Sequence, residues 1–305
     1  MTGEDTMRNK QTISVIIPTY NSSSYIKRTL DSVLSQNILP DEIVVVDDGS
    51  SDNTVERIEE YKMKNKDVLE NIRVIRQNNM GAGAARNRAI KEASGEWIAF
   101  LDSDDIWMQG KMEAVRTAME AHPDATIIAH DEYAVDEKDL DSHRLCSLHE
   151  VYDESKDLFI QLYEGNFFST SCMVIKKQII EKVGGFDESL RSAQDYDLWI
   201  RCGMYGKLFY IPEPYEIYVT RGGNITANTY RRYNCEMKIC RKYIDELIGR
   251  IGLKKTRKIV RKRIFNIHKV GTYLSLKQRK VGVAAKIFIR LIPELCKGVN
   301  IDENC

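Results

Sequence analysis

Four short segments of this 305-residue chain hold the residues best suited to chemistry. Asp102-Ser103-Asp104 places two carboxylates at i and i+2 just past an apolar run, where both can reach one divalent cation. Oxygen ligands of this kind suit Mg²⁺ or Mn²⁺, and both ions bind diphosphates. The same stretch, continued by Asp105, also reads as a solvated turn and helix cap. Asp47-Asp48-Gly49-Ser50 is a turn after a strand, or a carboxylate that accepts from a base N–H or a ribose hydroxyl. Gly81-Ala82-Gly83-Ala84-Ala85-Arg86 opens like a dinucleotide fingerprint, but Arg86 replaces the third glycine and Arg76–Met80 intervenes after the strand. It reads better as a glycine loop entering a helix whose Arg86 and Arg88 either pair with a diphosphate or are solvated. Asp195 precedes the apolar Leu198-Trp199-Ile200, as a helix cap or as a base. No Ser-His-Asp or Cys-His set is evident, and His122, His130, His143, His149 and His268 are scattered. Trp107, Trp199, Phe167 and Phe168 are candidates for stacking on a ligand, with core packing the more frequent fate.

The elements that must position these groups alternate. Ile13–Ile17, Glu42–Val46, Ile72–Ile75 and Trp97–Leu101 read as strands, with helical patterns after Asn21, after Asn53 and over Ala82–Ala93. β-Branched runs such as Glu42–Val46 are expected of parallel strands buried on both faces. The alternation implies a doubly wound α/β sheet, which binds ligands at the carboxyl ends of its strands. Thr19-Tyr20-Asn21, Asp47-Asp48 and Asp102–Asp105 should therefore meet in one crevice. Beyond this, 126–130, 171–175, 208–211 and 216–219 read as strands, 156–163 and 196–204 as helices, 136–150 as a polar loop, and the chain after Tyr230 as helical.

These segments stand in an order that resembles a known family. Pro18-Thr19-Tyr20-Asn21, Val46–Asp52, Gly83–Asn87, Phe100–Asp105, Val183-Gly184-Gly185-Phe186-Asp187-Glu188 and Gln194–Trp199 together resemble family-two glycosyltransferases of the GT-A fold, over residues 12–228. The resemblance implies a GT-A doubly wound, mostly parallel sheet flanked by helices. It implies inverting transfer of a sugar from a nucleotide-diphospho-sugar, with UDP expected, to a hydroxyl of a saccharide or lipid-linked acceptor. Bacterial surface polysaccharide synthesis is the expected setting. Pro18, Thr19, Tyr20, Asp47, Asp48, Arg86, Asp102 and Ser103 would lie at the nucleotide sugar. Asp102 and Asp104 would hold Mg²⁺ or Mn²⁺, and Asp195 would be the catalytic base. An in-line displacement needs such a base on the acceptor side and charge stabilisation of the leaving diphosphate, but no enzyme nucleophile. Two positions depart from the pattern. Gln194 stands where relatives often have Glu, which removes a charge beside Asp195. Arg221 stands where many relatives have a histidine; a guanidinium cannot ligate a metal but can pair with phosphate. Gly184-Gly185 is expected to shape a turn near the acceptor. The alternatives are a sugar nucleotidyltransferase, whose basic glycine-rich loop after the first strand is missing here, and a non-catalytic nucleotide-sugar-binding protein.

Composition sharpens the partition into a catalytic domain, 1–228, and a helical basic extension, 229–305. The net charge is zero, yet residues 1–228 carry 25 basic and 39 acidic side chains and residues 229–297 carry 20 and 4. Val283, Ala284, Ile287, Phe288, Leu291 and Ile292 share one helical face, with Lys286 and Arg290 opposite. The pattern fits docking on an anionic membrane surface, packing on the acidic domain, or oligomerisation through these helices. No nucleic-acid-binding module is recognised. Seven cysteines without a C-x-x-C pair argue against a disulfide framework or zinc knuckle. The polar N-terminus lacks a signal core, and no run reaches the ~18 apolar residues of a spanning helix. The expected location is cytoplasmic, peripheral on the inner face of the cell membrane.

Overall fold

The computed structural model describes residues 11–65, 71–147, 152–221 and 228–297. Among them the strands are β1 (Ile13–Thr19), β2 (Glu42–Asp47), β3 (Ile72–Arg76), β4 (Trp97–Phe100), β5 (Ile106–Trp107), β6 (Ile127–Asp136), β7 (Asp139–Cys146), β8 (Met173–Lys176) and β9 (Leu208–Thr220). The helices are α1 (Ile26–Leu34), α2 (Thr54–Lys64), α3 (Ala82–Glu92), α4 (Lys111–Ala121), α5 (Leu158–Glu164), α6 (Lys177–Lys182) and α7 (Gln194–Gly203). The chain then runs through α8 (Thr229–Lys242), α9 (Ile244–Ile251), α10 (Leu253–Lys277), α11 (Val281–Ile289) and α12 (Leu291–Lys297).

One sheet in the order β3-β2-β1-β4-β8-β6-β9-β5 organises the molecule, with β7 paired outside that path to β6. Its first half is parallel, and its second half mixes antiparallel β4·β8, β6·β8 and β5·β9 with parallel β6·β9. In the parallel half β1, β2 and β4 are buried on both faces, while the edge strand β3 exposes Arg73 and Arg76. Ile13, Val15 and Ile17 point into one core with Ile43 and Val45, while Ile16, Val44 and Val46 point into the other. That period of two, with no polar face to spare, is why these strands read as continuous apolar runs. Helices α1, α2 and α4 cover the first face through Ile26, Leu30, Ile58, Met112 and Val115; α3, α5 and α7 cover the second through Ala85, Ala89, Phe159, Leu198 and Trp199.

The second core continues without a break into the C-terminal helices, through Tyr233, Met237, Leu247, Val260, Ile264 and Ile287. Charged contacts reinforce the join: Lys242 reaches the buried Asp197 at 2.8 Å and Arg250 reaches Asp157 at 2.9 Å. The basic extension thus packs on the acidic half. Of the apolar face read from the sequence of 283–292, Ala284 and Ile287 are buried inward, with Val283 and Leu291 partly so. Phe288 and Ile292 turn outward instead.

Three segments differ from the sequence reading. Within 136–150, Asp139–Cys146 is not loop but strand β7, whose ladder to β6 pairs Glu132 with Cys146 and Ala134 with Arg144. The two strands read at 208–211 and 216–219 are one, β9, with register shifts near Pro214. Residues 170–172 form a 3₁₀ turn, so the strand begins at Met173. Among the described residues no helix is long and apolar enough to cross a membrane.

Candidate active site

Parallel register brings the ends of β1, β2 and β3 level, with Thr19 beside Asp47 and Asp47 beside Arg76. The loops after them are tied together. The Asp48 N–H donates to Thr19 O at 2.8 Å, and Asn21, at φ 50°, accepts at Oδ1 from the Ser51 N–H at 2.9 Å. Asp47 is buried and accepts from the Ser50 N–H at 3.1 Å, with Arg76 Nε 3.4 Å away. Asp48 does more for its surroundings than the sequence suggested. Its carboxylate accepts from the Met80 N–H at 2.8 Å, from Gln77 Nε2 at 2.8 Å and from the Gly81 N–H at 2.7 Å. It therefore clamps the loop that leads into α3. Gly81 sits at φ 97°, a conformation that favours glycine. Thr19 is buried, its hydroxyl unpaired among the described residues, and Tyr20 is exposed just beyond it. Pro18, half-buried, sits one place before Thr19 in β1.

The clamped loop fixes the start of α3 and hence the position of Arg86. This guanidinium is buried, and its Nη2 donates to Asp102 Oδ1 at 2.6 Å. Its Nε and Nη1 are buried with no hydrogen-bond partner among the described residues. Burial works against the cation, but Asp102, then Asp195 and Asp104, outweigh it and hold its pKa above the ordinary arginine value. Three acidic residues named from the sequence thus converge on one arginine. Arg88, by contrast, is exposed and pairs with Glu92 within the same helix.

The Asp102–Asp105 turn is held from below. The Asp102 N–H donates to Ser171 Oγ at 2.9 Å, Ser103 Oγ meets Ser22 Oγ at 2.8 Å, and Thr29 Oγ1 donates to the carbonyls of Ser103 and Asp105. The side chains of Asp102 and Asp104 keep 29% and 30% of their surface open. Burial and the neighbouring Asp102 raise the Asp104 carboxyl above its usual range, against the pull of Arg221. Arg221 stacks 3.7 Å over the Tyr25 ring, lies 3.4 Å from Asp104 Oδ2 and donates to the Asp104 carbonyl at 3.1 Å. Residues 222–226, the rest of the segment expected to match a histidine motif, lie outside the described residues, as does His149. Two partly exposed carboxylates are hard oxygen donors and fit Mg²⁺ or Mn²⁺.

Asp195 opens α7 behind Ala193, a non-glycine residue at φ 57°. Such strain persists where the surroundings over-determine it. Thr170 Oγ1 reaches Asp195 Oδ2 at 3.5 Å. Gln194 brings no charge, yet burial pushes the Asp195 carboxyl above its usual range, Arg86 opposes this and Asp102 adds to it. The turn at Gly184-Gly185, at φ 81° and 69°, delivers Phe186 beneath Arg86, ring centroid 5.4 Å from the guanidinium carbon. Phe186 packs edge-on against Phe100 and Trp199. Trp107, Trp199 and Phe168 are core residues, and Phe167 is partly buried against the same core.

One buried polar cluster escaped the sequence. Lys111 is fully buried, donating to Ser171 O at 2.6 Å, with Nζ 4.1 Å from the Trp107 ring centroid. Burial lowers its pKa to about 8. Glu216, also fully buried, is pushed up to about 7 by burial and by Glu132. It accepts from Cys172 Sγ at 2.9 Å and Ser169 Oγ at 3.1 Å. Glu132, Cys172 and Glu216 bring ligand atoms within 4.8 Å of one another, a group able to hold an ion. Burial and the two glutamates raise the Cys172 thiol well above its usual value. Nothing in residue type or spacing flags this set: its members come from α4, β6, the 3₁₀ turn and β9.

Comparison with known proteins bears on the whole arrangement. Residues 14–184 match the family described as glycosyl transferase family 2. The chondroitin synthase of Escherichia coli is 28% identical over 260 residues, which cover 82% of this chain and 34% of that protein. S. aureus TarS in complex with UDP-GlcNAc superposes with a TM-score of 0.67 at 22% identity, over 93% of this chain and 81% of that one. The mannosyltransferase PcManGT from Pyrobaculum calidifontis, in complex with GDP-Man and Mn²⁺, gives 0.62 at 18% identity, over 94% and 76%. At such identities the structures speak to the fold, which is GT-A. The chain spans between 34% and 65% of the length of the first three curated relatives that it matches.

Proposed function

The chain belongs to glycosyl transferase family 2, and from that premise we propose that it catalyses inverting transfer of a sugar from a nucleotide-diphospho-sugar, UDP-linked in the first instance, to a hydroxyl of a saccharide or lipid-linked acceptor. The observation that carries this reading is the buried Arg86, paired with Asp102 at 2.6 Å within the electrostatic reach of Asp195 and Asp104. Asp195 accepts the proton of the acceptor hydroxyl as its oxygen bonds to the anomeric carbon; the bond from that carbon to the diphosphate breaks, and the nucleoside diphosphate leaves. Burial and Asp102 raise the Asp195 pKa, which makes it a stronger base than a solvated aspartate. Arg86, whose Nε and Nη1 are unpaired among the described residues, offers donors to the diphosphate. Mg²⁺ or Mn²⁺ held by Asp102 and Asp104 would offset the charge that develops on the leaving group. Pro18, Thr19, Tyr20, Asp47, Asp48 and Ser103 border the space for base, ribose and diphosphate; Asp48 acts largely by setting the loop that carries Arg86. A screen of UDP-, GDP- and dTDP-sugars with Mn²⁺ by thermal shift tests the reading, and absence of any stabilisation across the panel would sink it.

Surface polysaccharide synthesis remains the expected setting; a polysaccharide-synthesising relative, the chondroitin synthase, is consistent with it. The outer surface of the extension supports a seat on an anionic bilayer. Helix α11 is apolar on both sides: Ala284 and Ile287 are buried, while Val281, Phe288, Ile289 and, just beyond, Ile292 are 64–73% exposed. Lys286 is its one charged residue, so the exposed apolar side chains leave a second face to cover. Around it, residues 247–293 carry 14 Lys or Arg and no Asp or Glu. Apolar side chains set in a segment whose charges are all positive match an anionic lipid surface, where each basic residue near the bilayer contributes about 1 kcal/mol; Arg250, Lys262 and Arg263 pair instead with Asp157, Glu164 and Glu236.

A further inference from the structure

Both carboxylates suited to a divalent cation are already engaged by guanidinium groups. Arg86 Nη2 is 2.6 Å from Asp102 Oδ1, and Arg221 Nη2 is 3.4 Å from Asp104 Oδ2 and 3.1 Å from the Asp104 carbonyl. Neither arginine is saturated. Arg86 Nε and Nη1 and Arg221 Nε are buried with no hydrogen-bond partner among the described residues. Buried donors left unpaired are costly, so each guanidinium is poised to take further oxygen acceptors. Each is also held in place independently of its carboxylate, Arg221 by the Tyr25 ring at 3.7 Å and Arg86 by the Phe186 ring at 5.4 Å.

We propose that these two ion pairs exchange partners when substrate enters: Arg86 and Arg221 turn to the oxygens of a nucleoside diphosphate, and Asp102 and Asp104 are released to its divalent cation. The inference rests on the donor-site reading above and adds to it the exchange of partners at both ion pairs, with Arg221 as a second diphosphate-binding residue. Charge balance gives the reason. Two carboxylates against two guanidiniums leave the free quartet neutral. A nucleotide sugar brings two negative charges on its diphosphate, and the cation brings two positive ones. Either alone leaves uncompensated charge in a partly buried site, which is strongly disfavoured; together they restore neutrality. Donor count points the same way. Among the described residues the close ligand cluster of three or more groups is the Glu132, Cys172 and Glu216 set, so Asp102 and Asp104 gain no third protein ligand from such a group. Mg²⁺ and Mn²⁺ held by two carboxylates complete their shell with substrate phosphate and water.

The test measures Mn²⁺ binding by the loss of free-ion EPR signal, with and without UDP, and UDP binding by calorimetry, with and without Mn²⁺, each corrected for Mn²⁺–UDP association in solution. In the wild-type protein each should strengthen the other by tenfold or more, and by the same factor, because linkage is reciprocal. Arg221→Gln should bind Mn²⁺ alone several-fold more tightly than wild type, because the opposing cation is gone, and its coupling with UDP should shrink below threefold. Arg86→Gln should behave alike and serves if the first variant does not fold. Mn²⁺ bound by the wild type as tightly alone as with UDP would overturn the exchange, as would two folded variants whose affinity for Mn²⁺ alone is no higher than wild type. If UDP binds the wild type neither with nor without Mn²⁺, the donor-site reading falls first and the exchange with it.

Discussion

Asn87 holds the backbone of Phe186 from both sides: its Oδ1 accepts from the Phe186 N–H at 2.7 Å and its Nδ2 donates to the Phe186 carbonyl at 2.9 Å. The two residues lie 99 positions apart, one on α3 and the other after the Gly184-Gly185 turn. A Cβ on Gly185 would come within 2.6 Å of Asn87 Oδ1, so glycine there is what permits the grip. Arg86 precedes Asn87 and stacks on the same Phe186, so one contact aligns helix α3 with the loop before Asp195.

Asn87→Ala should therefore weaken the site from outside it. Losing both hydrogen bonds and leaving a backbone N–H unpaired is expected to cost about 1–3 kcal/mol of stability. Thermal melts should show it as a drop of several degrees, with turnover falling further than the melt alone accounts for.

Asp195→Asn should lower kcat by about 10²–10⁴, the range for loss of a positioned base, while UDP affinity stays within a few-fold of wild type. Because the Asp195 pKa is raised by burial, activity requires its ionised form and should fade on the acid side at a pH above the usual aspartate value of about 3.9. A pH profile of kcat/KM whose acid limb lies at or below that value would contradict the assignment.

Much of this site was legible because its parts sit at strand ends. β1, β2 and β4 announce themselves as apolar runs, being buried on both faces, and the polar residues that stop them are tied together at the strand ends. β7 was not legible: Asp139–Cys146 lies at the sheet's edge, and pairing to β6 there demands hydrogen bonds rather than an apolar pattern. The apolar face read over 283–292 splits, Ala284 and Ile287 inward and Phe288 and Ile292 outward, because a broad apolar face does not state which part of it its neighbours take. Lys111 and Glu216 were invisible for another reason. Each reads as a surface charge, and they meet only because β5 pairs with β9.

That buried pair sets a pH dependence of stability. Glu216 has a folded pKa of about 7, against an ordinary 4.5, so the folded protein binds the extra proton between those values. Its contribution is full below about pH 4.5 and is lost as pH rises toward 7, by about 1.4 kcal/mol for each unit of pKa difference. Denaturant titrations of wild type and Glu216→Gln should show the wild-type advantage shrinking across that window. A constant difference between the two proteins would rule the shift out.

The double variant Phe288→Ser, Ile289→Ser removes two exposed apolar side chains and should keep the wild-type melting temperature within a degree or two. Sedimentation with phosphatidylglycerol-containing vesicles should fall several-fold, and raised salt should weaken the wild type's binding. No wild-type binding to these vesicles, or equal binding to phosphatidylcholine alone, would refute the bilayer seat. A change in mass by light scattering would point to a second copy of the chain instead.

Because Tyr233, Met237, Leu247 and Val260 complete the core that Phe159, Tyr196 and Trp199 begin, the last quarter of the chain is a wall of the house rather than an annex. Cutting at residue 228 strips the apolar backing from α7, the helix that opens with Asp195. A tail of this kind cannot be trimmed, swapped onto a relative or evolved separately without repacking the floor of the active site. Any graft of this segment has to move both parts together.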